Sequence, residues 1–186
     1  RSPRNESSAA SDVYKRQTGY TGEDGVEILL SADTGIKLWD KLLESGVTPC
    51  GLGCRDTLRL EAGMHLYGSE MDTTTTPYEA SLGWIVNSTK EYIGKTILDN
   101  QKKNGIDKKL VALKLTKRNI ARHDYPIMNE DIVIGKVTSG TWSPSLSVPI
   151  ALAYVPTELS KVGSVVNVKI RGKLEAATVV KKPFYC

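Results

Sequence analysis

A glycine-rich turn at residues 18–25 places an aromatic ring and a carboxylate in one short loop. Its glycines allow the backbone to approach a ligand closely. Tyr20 offers a flat ring, and the Glu23 carboxylate offers two acceptor oxygens. The lysine and the Ser/Thr of a phosphate-binding loop are missing. Local composition alone favours the alternative that these residues form only a tight turn before a strand, with Glu23 in solvent.

A second polar segment, residues 51–63, carries two arginines at helical spacing. Arg55 and Arg59 are four positions apart, so a helix here would place them on one face. Two guanidinium groups on one face can hold a carboxylate-bearing ligand. The alternative is a surface helix with internal ion pairs, for example between the neighbours Arg55 and Asp56 or between Arg59 and a distant acid. Local composition alone favours that alternative.

Other catalytic chemistry has little support in the sequence. No nucleophile and base can be paired, because His65 and His123 stand alone and Ser139 lacks the glycine pattern of a hydrolase elbow. Cys50 and Cys54 lack the second Cys/His pair that a zinc site requires. The sequence therefore predicts no metal site and no disulfide framework.

Composition excludes several further classes of protein. The chain of 186 residues is 40% hydrophobic and 25% charged, as in ordinary globular proteins. No apolar stretch approaches the roughly 20 residues that cross a bilayer, and no secretory signal is present. The net charge of +4 is dispersed rather than gathered in a basic stripe with aromatics. We therefore expect an intracellular protein that binds neither membrane nor nucleic acid.

Hydropathy divides the chain into three parts. Residues 1–17 are polar and serine-rich, which predicts disorder. They resemble translated adaptor sequence and are interpreted as an artefactual leader outside the fold. Residues 18–106 have a mixed α+β pattern, and residues 107–186 consist of short alternating strands. The predicted α+β elements are strands at 26–30 and 82–86, and helices from about 33 to 46, 55 to 62 and 96 to 104.

The last part has the two-residue period of half-buried antiparallel strands. Val166, Val168 and Ile170 would face one side while Asn167 and Lys169 face the other. Glycines and prolines recur at short intervals between such segments, a pattern typical of a small barrel or sandwich. The predicted strands are 110–115, 132–137, 150–155, 165–170 and 175–180.

Several of these segments together resemble the glycine cleavage T-protein family. The matching motifs keep the family's order from residue 18 to the end of the chain. They are residues 18–28, 55–64, 66–68, 71–72, 92–95, 135–141, 150–155 and 182–185.

The resemblance implies a fold and a reaction. The fold is the remainder of a ferredoxin-like folate-binding domain, of α+β class, followed by a small antiparallel β-barrel. The reaction takes the aminomethyl group from the lipoyl arm of a small carrier protein, the H protein. Ammonia is released and the methylene unit passes to tetrahydrofolate as co-substrate, without a metal. The expected compartment is the bacterial cytoplasm, or the mitochondrion in a eukaryote.

The resemblance also assigns roles to single residues. Glu23 would bind the pterin, and Arg55 falls at the family's substrate-binding arginine. Tyr20 would pack against a flat ring, and Tyr185 lies near the family's terminal substrate-contacting tyrosine. Arg59 is interpreted as structural. The family's catalytic aspartate belongs to an amino-terminal half that has no counterpart in this sequence, so we expect no catalytic residue here and no turnover by this chain alone.

Three alternatives remain open. One is the folate domain of dimethylglycine or sarcosine dehydrogenases, although those relatives lack the arginine that Arg55 supplies. Another is a non-catalytic folate-binding protein of iron–sulfur cluster maintenance. That group carries a cysteine motif where this chain has residues 90–95, which contain none. The third is a folded remnant that binds no ligand.

Overall fold

A computed structural model describes residues 14–16, for the backbone, and residues 19–185. The chain divides into two compact units, which meet in sequence at Arg59 and Leu60. Among the described residues, no helix is both long enough and apolar enough to cross a membrane.

The first unit opens with a two-stranded antiparallel ribbon. β1 (Tyr14–Arg16) pairs with β2 (Glu27–Leu29), with Tyr14 opposite Leu29. The strand β1 differs from the disorder predicted for residues 1–17. Its backbone N–H and C=O groups find partners along the edge of β2, and such pairing does not depend on side-chain pattern. The remainder of the predicted leader lies outside the described residues.

Two helices follow. α1 (Ala32–Glu44) is terminated by Gly46, as predicted. The φ of +82° at Gly46 suits glycine, and the next N–H, of Val47, donates to the Leu42 carbonyl at 3.0 Å. The N-cap of α1 is Ser31, which has an extended backbone conformation. α2 (Leu52–Glu61) begins three residues earlier than predicted and runs across the boundary between the units.

The second unit begins with the end of α2, followed by a loop, a 3-10 helix (Gly83–Ile85) and α3 (Lys95–Asn104). The strand predicted at residues 82–86 is wrong. The Leu82 N–H donates to Pro77 O at 2.8 Å and the Ile85 N–H donates to Leu82 O at 3.0 Å. These local bonds satisfy backbone groups that a strand would pair with a neighbour.

Six antiparallel strands then close into a barrel, which confirms the predicted α+β class with a carboxy-terminal barrel. The ring order is β3-β6-β5-β4-β7-β8, with β8 pairing back to β3. The ferredoxin-like character of the preceding region stays a prediction. The strands are β3 (Lys108–Leu115), β4 (Pro126–Asn129), β5 (Ile132–Ser143), β6 (Val148–Pro156), β7 (Val165–Ile170) and β8 (Lys173–Val180).

Strand β4 was not predicted, and β5 is longer than predicted. β4 is only four residues long and starts at Pro126, a position that suits proline because it needs no donor there. The register of β5 against β6 shifts between Val137 and Ser139. That irregularity breaks the alternating pattern, so the sequence signal ends at the bulge while the strand continues.

The core of the second unit fills the barrel. Val166, Val168 and Ile170 are all at most 5% exposed, as the alternation predicted. A smaller apolar cluster packs Leu60, the penultimate residue of α2, with Leu110 of β3 and Leu152 of β6. The same helix end is therefore anchored to the wall of the barrel.

Candidate functional site

The glycine-rich turn and helix α2 meet through one aromatic contact. The guanidinium carbon of Arg55 lies 4.9 Å from the centroid of the Tyr20 ring. A cation at this distance is attracted by the negative face of the ring. Two of the four predicted site residues, 35 positions apart, are therefore in contact within the first unit.

Glu23 lies at the exposed end of the same turn. Its backbone N–H donates to the Thr21 hydroxyl at 3.3 Å. Gly22, at φ +80°, adopts a conformation that side-chain-bearing residues disfavour. Within residues 14–16 and 19–185, no hydrogen bond or ion pair engages the Glu23 carboxylate. Both of its oxygens can accept bonds from a ligand.

Arg59 does not join Arg55 in a two-arginine ligand site. Its side chain is 1% exposed, and its Nε and Nη2 atoms lie 2.8 and 2.7 Å from Asp56 Oδ1. Arg55 is exposed. Both arginines lie on α2, as their spacing predicted. They do not act as a pair, because Asp56 engages the Arg59 guanidinium while the Arg55 guanidinium lies over the Tyr20 ring. The interpretation of Arg59 as structural agrees with this ion pair.

Tyr185, the fourth predicted site residue, belongs to the second unit. Its side chain is 48% exposed. The N–H groups of Tyr185 and Phe184 donate to the Glu61 carbonyl at 3.2 and 2.9 Å. The end of the chain is thus fixed to the end of α2, with the phenol in solvent.

A buried polar cluster surrounds Glu61, and no sequence motif predicted it. This carboxylate is 3% exposed and accepts bonds from the hydroxyls of Ser143 and Ser145, the latter at 2.8 Å, and from the Ser145 N–H at 3.2 Å. A buried carboxylate needs such donors because desolvation is otherwise costly. The available signal was a lone acid, Glu61, directly after the apolar Leu60 at a helix end.

A second missed group surrounds Lys182. Its Nζ atom lies 3.4 Å from His65 Nε2, which also contacts the Ala80 carbonyl at 2.8 Å. Burial lowers the pKa of Lys182, partly offset by attraction to Glu70, while Lys109 lowers it further. Nearby, burial raises the pKa of Tyr154 to about 12, and its hydroxyl donates to the Glu70 carbonyl at 2.8 Å.

A groove of about 600 Å³ also lies in the second unit, beside α3. Its lining is largely apolar and includes Ile85, Ile93 and Ile97. The Tyr92 hydroxyl is buried there without a hydrogen-bond partner among the described residues. The sequence analysis attached no role to these side chains.

Cys50 and Cys54 form no metal centre with other described residues. Cys50 and Cys54 are exposed thiols, and a hydrogen bond with Cys50 raises the pKa of Cys54. In the part of the chain that the structure describes, no three His, Cys, Asp or Glu side chains come together as metal ligands.

Two family models match the chain. The model of the GCVT N-terminal domain covers residues 4–90, and that of the glycine cleavage T-protein C-terminal barrel domain covers residues 108–185. The predicted domain bounds, 18–106 and 107–186, stay a prediction, since the compact units divide elsewhere, at Arg59 and Leu60.

Curated relatives carry the name aminomethyltransferase. The protein of Synechococcus sp. (strain CC9311) is 58% identical over 175 residues, which cover 93% of this chain and 47% of the relative. That of Nostoc sp. (strain PCC 7120 / SAG 25.82 / UTEX 2576) is 55% identical over 171 residues, 91% of this chain and 46% of the relative. The chain thus spans about half the length of the relatives it matches.

A solved structure agrees with these matches. The glycine cleavage system aminomethyltransferase T from Bartonella henselae superposes with a TM-score of 0.87 at 35% identity. The match covers 93% of this chain and 50% of that one. Family models, relatives and fold agree over both parts of the sequence, and the chain belongs to the glycine cleavage T-protein family.

Proposed function

We propose that this chain is part of a tetrahydrofolate-dependent aminomethyltransferase of the glycine cleavage system. Its substrates would be the aminomethyl-lipoyl arm of the carrier (H) protein and tetrahydrofolate, and its products ammonia and methylenetetrahydrofolate. The observation that carries the proposal is the contact between Tyr20 and Arg55 beside the unengaged Glu23 carboxylate. The names of the relatives support it.

The polar groups of Glu23 and Arg55 match those of a folate. Glu23 offers two carboxylate oxygens, which match the ring N–H and exocyclic amine of a pterin edge. Arg55 supplies a fixed cation for a carboxylate or another electron-rich group of the ligand, because the Tyr20 ring restricts its guanidinium. Tetrahydrofolate, when bound, would supply the amine that receives the one-carbon unit.

The remaining roles are divided between the chain and its partners. Tyr185, exposed at the end of the second unit, is proposed to contact substrate through its phenol. No residue of the chain is assigned to proton transfer, so we propose that residues 1–186 alone release no ammonia. The proposed compartment is the bacterial cytoplasm, since the relatives named above are bacterial.

Binding of tetrahydrofolate to the purified chain tests the proposal. Calorimetric titration under anaerobic conditions should give weak but saturable binding. Glu23→Gln should weaken it by roughly tenfold, because loss of a charge-assisted hydrogen bond costs about that much. Glu44→Gln removes the same charge from an exposed position of α1 and should leave the affinity unchanged.

Turnover supplies the second readout. The chain should release no ammonia from aminomethyl-lipoyl H protein in the presence of tetrahydrofolate. Robust release would contradict the proposal that proton transfer depends on residues outside the chain. Equal affinity of the wild-type chain and Glu23→Gln would remove the role of Glu23 in binding.

A further inference from the structure

Three arginines line a small cavity at one end of the barrel. Arg118 and Arg122 lie in the loop between β3 and β4, and Arg171 lies in the turn between β7 and β8. The register of β3 on β8, with Leu115 opposite Ala177, brings this loop and this turn to the same end. Asn119, Tyr125 and Ile170 are among the other lining residues.

We propose that this cavity is a binding site for a small phosphate-type dianion. Guanidinium groups match tetrahedral oxyanions because each presents a planar fork of N–H donors. The site is independent of the proposed folate-binding residues, all of which lie outside the cavity lining.

The three arginines have no acidic partner in the part of the chain that the structure describes. Within residues 14–16 and 19–185, none of the three guanidinium groups forms an ion pair. Asp124, the nearest acid in sequence, is held by Lys136 Nζ at 3.0 Å and His123 Nε2 at 3.3 Å. Glu175 is absent from the lining, and its carboxylate accepts a bond from the Asn119 amide. The three arginines are exposed, so solvent weakens their mutual repulsion, and an anion between them would lower it further.

The loop that carries Arg118 and Arg122 is firmly anchored. The Asp124 N–H donates to Val137 O at 2.9 Å, and the Val137 N–H donates to Tyr125 O at 2.9 Å. A Cβ at Gly140 would lie 2.1 Å from Ala121 O, so loop and strand are in direct backbone contact. Because the backbone is already fixed, only the side chains must be ordered when the ligand binds, which reduces the entropy lost on binding.

Further contacts and backbone geometry constrain Arg118 and Arg171. The Arg118 guanidinium lies 5.6 Å from the centroid of the Trp142 ring. Arg171 has φ +48° and Gly172 φ +82°, as required in a two-residue hairpin turn between the paired residues Ile170 and Lys173. A positively charged residue thus occupies a turn position where asparagine or glycine is usual.

The size of the cavity sets the size of the ligand. Its volume is about 180 Å³. Sites for drug-sized molecules measure about 300 Å³ or more. A free phosphate, or the phosphate group of a larger ligand that extends into solvent, fits the available space.

Titration of inorganic phosphate into the purified chain tests the site. The pH is kept above the second pKa of phosphate, ionic strength is held constant, and binding is followed by calorimetry. We expect saturable binding that Arg122→Gln and Arg171→Asn each weaken at least about tenfold. Asparagine tolerates the left-handed backbone at position 171, so Arg171→Asn should fold.

The control is Lys173→Gln. Lys173 is exposed on the same hairpin as Arg171 and does not line the cavity. Lys173→Gln removes one positive charge, as the two arginine substitutions do. The affinity of Lys173→Gln for phosphate should stay within about twofold of the wild type, since solvent screens distant charges. Absence of saturation, or an equal loss in Lys173→Gln, would overturn the proposal. Tighter binding of succinate than of phosphate would overturn the assignment to phosphate-type ligands.

Titration of a phosphomonoester such as glycerol phosphate distinguishes the two sources of the group. Comparable affinity for phosphate and the ester supports a site open to the phosphate group of a larger ligand. Binding of phosphate alone supports a free-ion site.

Discussion

The barrel and residues 19–59 contain similar apolar residues but pack them differently. In the barrel Leu113 and Ile150 are fully buried. In the first unit Trp39 is 53% exposed and Leu29 is 59% exposed, and no residue of α1 is buried. A ring of hydrogen-bonded strands encloses its own core, whereas a ribbon and an amphipathic helix enclose little. The residues proposed to bind folate thus lie in a unit with few buried apolar side chains.

Glycine-to-alanine substitutions test this comparison with the largest expected effect. A Cβ at Gly135 would lie 2.0 Å from the Tyr154 carbonyl oxygen, a backbone atom that cannot move without disrupting β6. Gly135→Ala should lower the free energy of unfolding by about 3 kcal/mol or more. Urea denaturation followed by tryptophan fluorescence and circular dichroism measures the change.

The matched substitution in the first unit is Gly53→Ala. Gly53 lies in α2 with no atom within 4 Å of its added Cβ. Alanine should change stability by at most about 1 kcal/mol, in favour of the helix. Equal destabilisation by both substitutions would show that residues 19–59 are packed as tightly as the barrel.

Removal of the Glu61 carboxylate should have a smaller but still large effect. Glu61→Ala leaves two serine hydroxyls and the Ser145 N–H without their acceptor. Loss of the charged acceptor of these buried donors should lower the free energy of unfolding by about 2–3 kcal/mol in total. Thermal unfolding should show a clear loss for Glu61→Ala and almost none for Glu44→Ala, which removes an exposed acid. Equal melting temperatures for both variants would contradict a stabilising role of this cluster.

Lys182→Met should have the smallest effect and the opposite sign. Burial lowers the pKa of Lys182 in the folded state, so its protonated form opposes folding at neutral pH. Its contribution to stability is present above the unfolded pKa of about 10.4 and is lost as pH falls through the folded pKa. Methionine should therefore raise Tm slightly at neutral pH, with a difference that shrinks as pH rises.

The control for this pH dependence is Lys181→Met, which changes an exposed neighbour. Its Tm should follow the wild type over the whole pH range. The groups that face Lys182 are His65, Glu70 and Lys109. A pH-independent gain in Lys182→Met would point to better apolar packing instead of the removal of a buried charge.

The sequence predicted the barrel better than the region before it. Alternation in Val165–Ile170 depends on which face of a strand is buried, and that period is local. The strand predicted at residues 82–86 failed because pairing requires a neighbour, and these residues instead form local bonds to Pro77 and Leu82. Strand β4 was missed because four residues are too few to display a period.

The candidate site shows the same limit. Spacing alone placed Arg55 and Arg59 on one face, but it could not reveal that Asp56 pairs with Arg59. The contact of Arg55 with Tyr20 joins residues far apart in sequence, and no local pattern encodes it. The resemblance to the family supplied both residues, while the roles of Tyr20, Glu23, Arg55 and Tyr185 stay predictions.

The closed ring has one short junction, with a consequence for aggregation. β4 and β7 pair over Ile127–Val168 and Met128–Asn167, whereas β3 and β6 pair from Lys108 to Lys114. The ring can open between β4 and β7 with the loss of fewer backbone hydrogen bonds than at any other junction of the barrel. Opening there creates a sheet with two free edges, and unpaired edges recruit strands from other molecules. Pairing of β4 with β7 thus keeps the edges of both strands unavailable to strands of other molecules.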